Sequence, residues 1–100
     1  MHKIEDLLPI GTVVTLYNGT KTIMIVGRCL KDEENKMHDY TACFYPEGLI
    51  SSNPKRPDDF FHFNSIEIER ICYLGMVNEE EKEFKDFLKH SVEEHGGFGY

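Results

Sequence analysis

Residues 12–28 read Thr12-Val13-Val14-Thr15-Leu16-Tyr17-Asn18-Gly19-Thr20-Lys21-Thr22-Ile23-Met24-Ile25-Val26-Gly27-Arg28. The first six are rich in β-branched side chains, which suit a pleated surface. Asn18-Gly19 is the strongest short hairpin signal, because both central residues of a type I′ turn need φ > 0. Thr22 to Arg28 is a second strand whose apolar residues are continuous, so both of its faces should be covered. The stretch is expected to form a β-hairpin, and the rest of the chain is read against it.

Upstream, Leu7-Leu8-Pro9-Ile10-Gly11 is an apolar lead-in holding two breakers. Downstream, Lys31 to Lys36 is polar and charged, as in a solvated connection. A third strand should run from about His38 to Tyr45, with Tyr40, Ala42 and Phe44 on one side. Asp39, Thr41, Cys43 and Tyr45 then take the other. Pro46 stops it. Residues 47–59 hold Gly48, Pro54 and Pro57 without a period, and so long a loop is commonly functional.

Phe60 to Phe63 reads as a fourth strand, with Phe60 and His62 on one face and Phe61 and Phe63 on the other. Asn64 with Glu67 has capping-box spacing, which predicts one helical turn over 65–69. Arg70 to Leu74 returns to strand and Gly75 ends it. Asn78 with Glu81 is a second capping box, and Glu79, Glu80 and Glu81 favour a helix start. Phe84, Phe87, Leu88 and Val92 recur at helical spacing and make one apolar stripe. Gly96-Gly97 ends that helix. The expected fold is α+β: a small, strongly bent antiparallel sheet or partial barrel of about five strands, with one C-terminal amphipathic helix. The helix should cover an open face or close one end. One domain is expected over 1–100, with a core at about 7–93 and a flexible tail at 94–100.

The chain carries 11 Lys+Arg against 18 Asp+Glu, a net charge of −7. That balance argues against nucleic acid, whose binding needs a basic patch, and against an anionic membrane surface. No apolar run approaches the ~20 residues of a membrane span. The acidic start lacks the basic and then apolar pattern of a signal peptide, so a cytoplasmic location is expected. The acids concentrate in the Asp32 loop, at Asp58-Asp59 and at the helix start, where they read as solvated groups.

Cys29, Cys43 and Cys72 are odd in number and widely spaced, as in a reducing compartment. Cys43 and Cys72 read as buried small hydrophobes, and Cys29, beside a polar loop, as the most exposed. Neither the cysteines nor the histidines at 38 and 62 have the close pairing that zinc sites use. No catalytic residue, metal or cofactor is expected. The suggestive feature is the set of aromatics that flank the long loop. Tyr45, Pro46, Glu47, Phe61 and Phe63, with Arg28 as a polar contact, form the candidate protein-binding residues.

Several segments together carry a resemblance. They are Leu7-Leu8-Pro9-Ile10-Gly11-Thr12-Val13-Val14, Gly19-Thr20-Lys21 with Met24-Ile25-Val26-Gly27-Arg28, and Asp39-Tyr40. Tyr45-Pro46-Glu47-Gly48, Phe63-Asn64 with Ile68, and the Glu-rich stretch before Phe84 complete the order. This order resembles the family catalogued as domain of unknown function 4176, from about Leu7 to Leu88. The sequence departs from the family pattern at Pro54-Lys55-Arg56-Pro57 and in its Gly-rich tail.

The resemblance implies a small cytoplasmic protein of Gram-positive bacteria, encoded beside type VII secretion genes and LXG toxins. The implied partner is the helical LXG region of a secreted toxin, together with small helical accessory proteins. The implied role is that of targeting factor or chaperone. The alternative is an immunity or regulatory protein that binds and inhibits a toxin. The family supplies no catalytic residues to carry over.

Overall fold

The computed structural model describes residues 4–49 and 60–94. A 3₁₀ turn at Ile4–Asp6 leads into five strands, β1 (Val13–Leu16), β2 (Ile23–Lys31), β3 (Met37–Phe44), β4 (Phe61–Phe63) and β5 (Ile68–Tyr73). A second 3₁₀ turn, Ser65–Glu67, separates β4 from β5, and the helix α1 (Glu79–Glu94) closes the described chain. All pairings are antiparallel, in the order β4-β3-β2-β1-β5. The expected α+β fold is the one observed, as an open sheet whose edges are β4 and β5.

The edges explain the bend. In a flat sheet they would stand about 19 Å apart, four strand spacings. Only Asn64 to Glu67 joins them, and a 3₁₀ turn rises just ~2 Å per residue. The sheet therefore curls, which brings Ile68 opposite Leu16 while Phe63 stays opposite Tyr40. The turn is pinned at both ends. Glu67 accepts the Asn64 N–H at 2.6 Å, the reach-back half of the expected capping box. The Asn64 side chain accepts the Asp39 N–H at 2.9 Å.

Val14, Ile23, Ile25, Tyr40, Ala42 and Phe63 fill the inside of the bend, with Ile4 and Leu7 over them and Leu88 of α1 packed alongside. Tyr40 is buried and its hydroxyl accepts the Leu8 N–H at 2.9 Å, which fixes the lead-in to the core. Burial pushes the phenol above its ordinary pKa.

Two local details differ from expectation. The hairpin forms, but its turn spans Leu16–Gly19, closed by a 3.0 Å bond from the Gly19 N–H to the Leu16 carbonyl. Asn18 has φ 66°, and Gly19 is not in the left-handed region. One positive φ at the third turn residue is the mark of type II rather than I′. The register of β2 against β3 also slips by one between Ile25 and Gly27, so Val26 is a bulge and Arg28 faces Tyr40. A further bulge sits at the start of β1. Gly11 (φ 90°) donates to the Ile25 carbonyl at 2.9 Å, and the Ile25 N–H donates to Thr12 at 2.8 Å.

The residues of the long loop from 50 to 59 and of the tail from 95 onward, including Gly96-Gly97, lie outside the described residues. The side chain of Val92 does too. Among the described residues, no helix is long and apolar enough to cross a membrane.

Candidate functional site

The six candidate residues separate. Phe63 is 1% exposed and lies tilted against Tyr40 in the core, with ring centroids 5.3 Å apart. Phe61 is half-buried and packs against Phe44 at 5.3 Å. β4 turns its odd-numbered residues into the bend, which takes Phe63 into the core and leaves Phe61 at its margin. Tyr45 and Pro46 are exposed, across a cis peptide bond. Glu47 reaches Lys21 at 2.5 Å, and Lys21 in turn sits 5.8 Å from the centre of the Phe44 ring. This end of the bend is a shallow depression of about 220 Å³ that includes Leu16, Ile23, Phe44 and Phe61.

Arg28 is internal rather than a surface contact. Its Nη1 lies 2.7 Å from Glu81 Oε1, with side-chain exposures of 5% and 10%. The contact is ionic, since its angles fall outside those of a hydrogen bond. The guanidinium also lies 5.8 Å from the Phe84 ring centre, within cation–π range. The Val26 bulge is what aims Arg28 at the helix. Glu81 is thus no solvated helix-start residue. Its backbone N–H bonds the Asn78 side chain at 2.9 Å, as the capping box predicts, while its carboxylate fastens α1 to the sheet.

The apolar stripe of α1 does not cover the sheet as expected. Glu81, Lys85, Leu88 and Ser91 are its half-buried positions, whereas Phe84 and Phe87 are 48% and 64% exposed. The helix packs on the Ile4–Asp6 turn, with the Arg28–Glu81 ion pair and Leu88 fastening it, and its two aromatic rings are left largely outside.

The same exposure continues into β5 and the linker that follows. From Glu69 to Glu80 every residue is exposed except Gly75. Ile71, Tyr73, Leu74, Met76 and Val77 make a run of large apolar side chains in water, with Tyr73 at 65% and Met76 at 73%. Isolated exposed apolar residues are ordinary, but a contiguous run marks a site of interaction. Gly75 holds the run in place. Its N–H bonds Thr12 Oγ1 at 3.0 Å, and an added Cβ would meet the Ile10 carbonyl oxygen at 2.3 Å. Beside it, Ile10, Met76 and Phe84 line an open groove of about 570 Å³ with Arg28, Asn78, Glu80 and Glu81.

Cys43, on β3, is buried as expected, but Cys72, on β5, rather than Cys29 is the exposed cysteine. Cys29 is half-buried at φ 58°, and its thiol is pushed up to about 11, first by burial and then by the Asp39 charge, against the pull of Arg28. That is the opposite of an activated nucleophile. His38 and His62 stack at 5.4 Å, with His38 bonded to Asp32 at 2.8 Å and His62 to Thr41 at 2.6 Å. Among the described residues, no group of three or more His, Cys, Asp or Glu is arranged to hold a metal.

A family model described as Domain of unknown function (DUF4176) matches residues 7–84, which takes in the whole sheet and the first turn of α1. No curated protein and no solved structure matches the chain.

Proposed function

The chain belongs to the Domain of unknown function (DUF4176) family, and on that premise we propose that it is a protein-binding accessory module with no catalysis of its own. The observation that carries this reading is the run of exposed apolar side chains along β5 and its linker, from Ile71 through Val77, continued by Phe84 and Phe87. Burying such a run yields roughly 25 cal/mol per Å² of apolar surface, and no fold element of the described chain covers it. A protein partner is the cover proposed for it.

The partner assigned is the helical LXG region of a type VII secretion effector, met in the cytoplasm of a Gram-positive cell before export. The protein then serves as a targeting factor or chaperone, together with small helical accessory proteins. Support for this identity comes from the family alone. Support for binding comes from the surface.

Co-expression with the LXG effector encoded nearby, followed by pull-down, tests the reading. The expected result is capture of the effector's N-terminal region, with loss of capture in Tyr73→Ser and Met76→Ser. Failure to co-purify at any salt concentration refutes it. Capture of the toxic C-terminal domain, with loss of toxicity, would instead establish an immunity protein.

A further inference from the structure

We propose that the groove between α1 and the β5–α1 linker docks an amphipathic helix that carries lysine or arginine along one flank. This rests on the protein-binding reading and names its surface and the chemistry of its guest.

At about 100° per residue, α1 has three sides. Glu81, Lys85 and Leu88 face the domain. Glu80, Glu83, Phe84 and Phe87 fall together on one flank, and Lys82, Asp86 and Lys89 on the other, where with Lys85 they line a separate depression. The groove lies on the acidic and aromatic flank, with Ile10, Met76 and Phe84 as its apolar surface. Arg28 and Glu81 neutralise each other at its inner wall. Glu79 has Lys82 at 3.4 Å, whereas Glu80 and Glu83 have no cationic partner among the described residues. The groove is therefore apolar at its floor and negative at its rim, complementary to a guest with the opposite rim.

The guest is a helix for a backbone reason. Beyond its first turn, the peptide groups of α1 are satisfied within the helix, so the Phe84–Phe87 flank offers no ladder to an extended strand. A helix brings its own hydrogen bonds. The Phe84–Phe87 ridge, with ring centroids 6.0 Å apart, is spaced for ridge-into-groove packing.

A synthetic helical peptide with a leucine face and lysine flanks, and its glutamate-flanked counterpart, are the probes, titrated by calorimetry against the full chain. The lysine peptide should bind and the glutamate peptide should not. Phe84→Ser, Met76→Ser and Glu80→Lys should each weaken binding by roughly tenfold or more. Glu33→Lys, in the β2–β3 connection, changes net charge equally and should leave binding within about twofold. Unchanged thermal melts for these exposed positions confirm that the fold survives. Equal weakening by Glu33→Lys and Glu80→Lys would overturn the proposal, since the attraction would then be to overall charge. A dimer in sedimentation that Phe84→Ser dissolves would overturn it in favour of a second copy. An LXG fragment that binds wild type and Glu80→Lys equally would sink the groove and leave the proposed function standing. Groove-dependent capture of the lysine peptide without capture of the LXG fragment would do the reverse.

Discussion

β3 and β5 belong to one sheet and are built from similar residues. β3 ends Tyr40-Thr41-Ala42-Cys43-Phe44, and β5 ends Arg70-Ile71-Cys72-Tyr73. Yet Asp39 to Cys43 are buried on both sides of β3, while every residue of β5 after Ile68 is exposed. Position in the strand order contributes to the difference, although β4 at the other edge still buries Phe63 inside the bend. β3 has β2 and β4 as neighbours, whereas β5 has only β1. Inside β3, even the polar groups are provided for. The Asp39 carboxylate accepts the Ser65 N–H at 2.8 Å, and Thr41 bonds His62 at 2.6 Å. Folded proteins ordinarily blunt an edge strand with charge or proline. β5 carries Glu69 and Arg70 in its first half but an isoleucine, a cysteine and a tyrosine at its end, so that end answers to something other than the stability of the free chain.

The contrast can be broken most forcefully at Tyr40. Tyr40→Ala should cost about 3–5 kcal/mol, the range for emptying a buried aromatic site, read from denaturant melts. A loss under about 1 kcal/mol would mean that β3 is not the centre of the core. Gly75→Ala comes next. It drives a Cβ into the Ile10 carbonyl and should cost roughly 1–3 kcal/mol, as overpacking does. That loss would show the exposed run to be locked to the β1 bulge, not loosely hung from it.

Thiol chemistry sharpens the comparison further. A maleimide at neutral pH should label Cys72 on β5 first, with Cys43 on β3 and half-buried Cys29 protected until the protein unfolds. Because Cys29 is raised from 9.0 to about 11 in the fold, the unfolded chain ionises first as pH rises. Its contribution to stability is therefore complete below about pH 9 and lost as pH climbs toward 11. Alkaline melts of Cys29→Ala should decline less steeply than those of the native chain. The smallest effect is expected at Tyr73→Ser, within about 0.5 kcal/mol of the native stability. A large destabilisation there would mean that β5 belongs to the core after all.

Much of the fold was legible from local chemistry. The β-branched runs, the two capping boxes at Asn64 and Asn78, and the φ > 0 requirement at Asn18 all act within a few residues. The site was not, for physical reasons. Whether Ile71 and Tyr73 are covered depends on which strand ends the sheet, and no spacing within β5 encodes that. Arg28 pairs with Glu81 across most of the chain, and its inward aim comes from a one-residue bulge at Val26. The Phe61-His62-Phe63 alternation was readable, but which of its faces is the core was fixed by Tyr40 and Ala42 on the neighbouring strand. The exposed-edge signal was present in Ile71-Cys72-Tyr73-Leu74-Gly75-Met76-Val77 as an apolar run too long for the strand that holds it.

The 3₁₀ turn at Ser65–Glu67 also bears on how the molecule assembles. Val13 and Tyr73 pair across most of the chain, a closure that is entropically slow if attempted directly. Once β4 has paired with β3 across the long loop, however, the bend already carries the chain leaving Phe63 toward the open edge of β1. The last ladder then closes over the span of one turn, so the pairing of Val13 with Tyr73 adds only a short loop to those already closed.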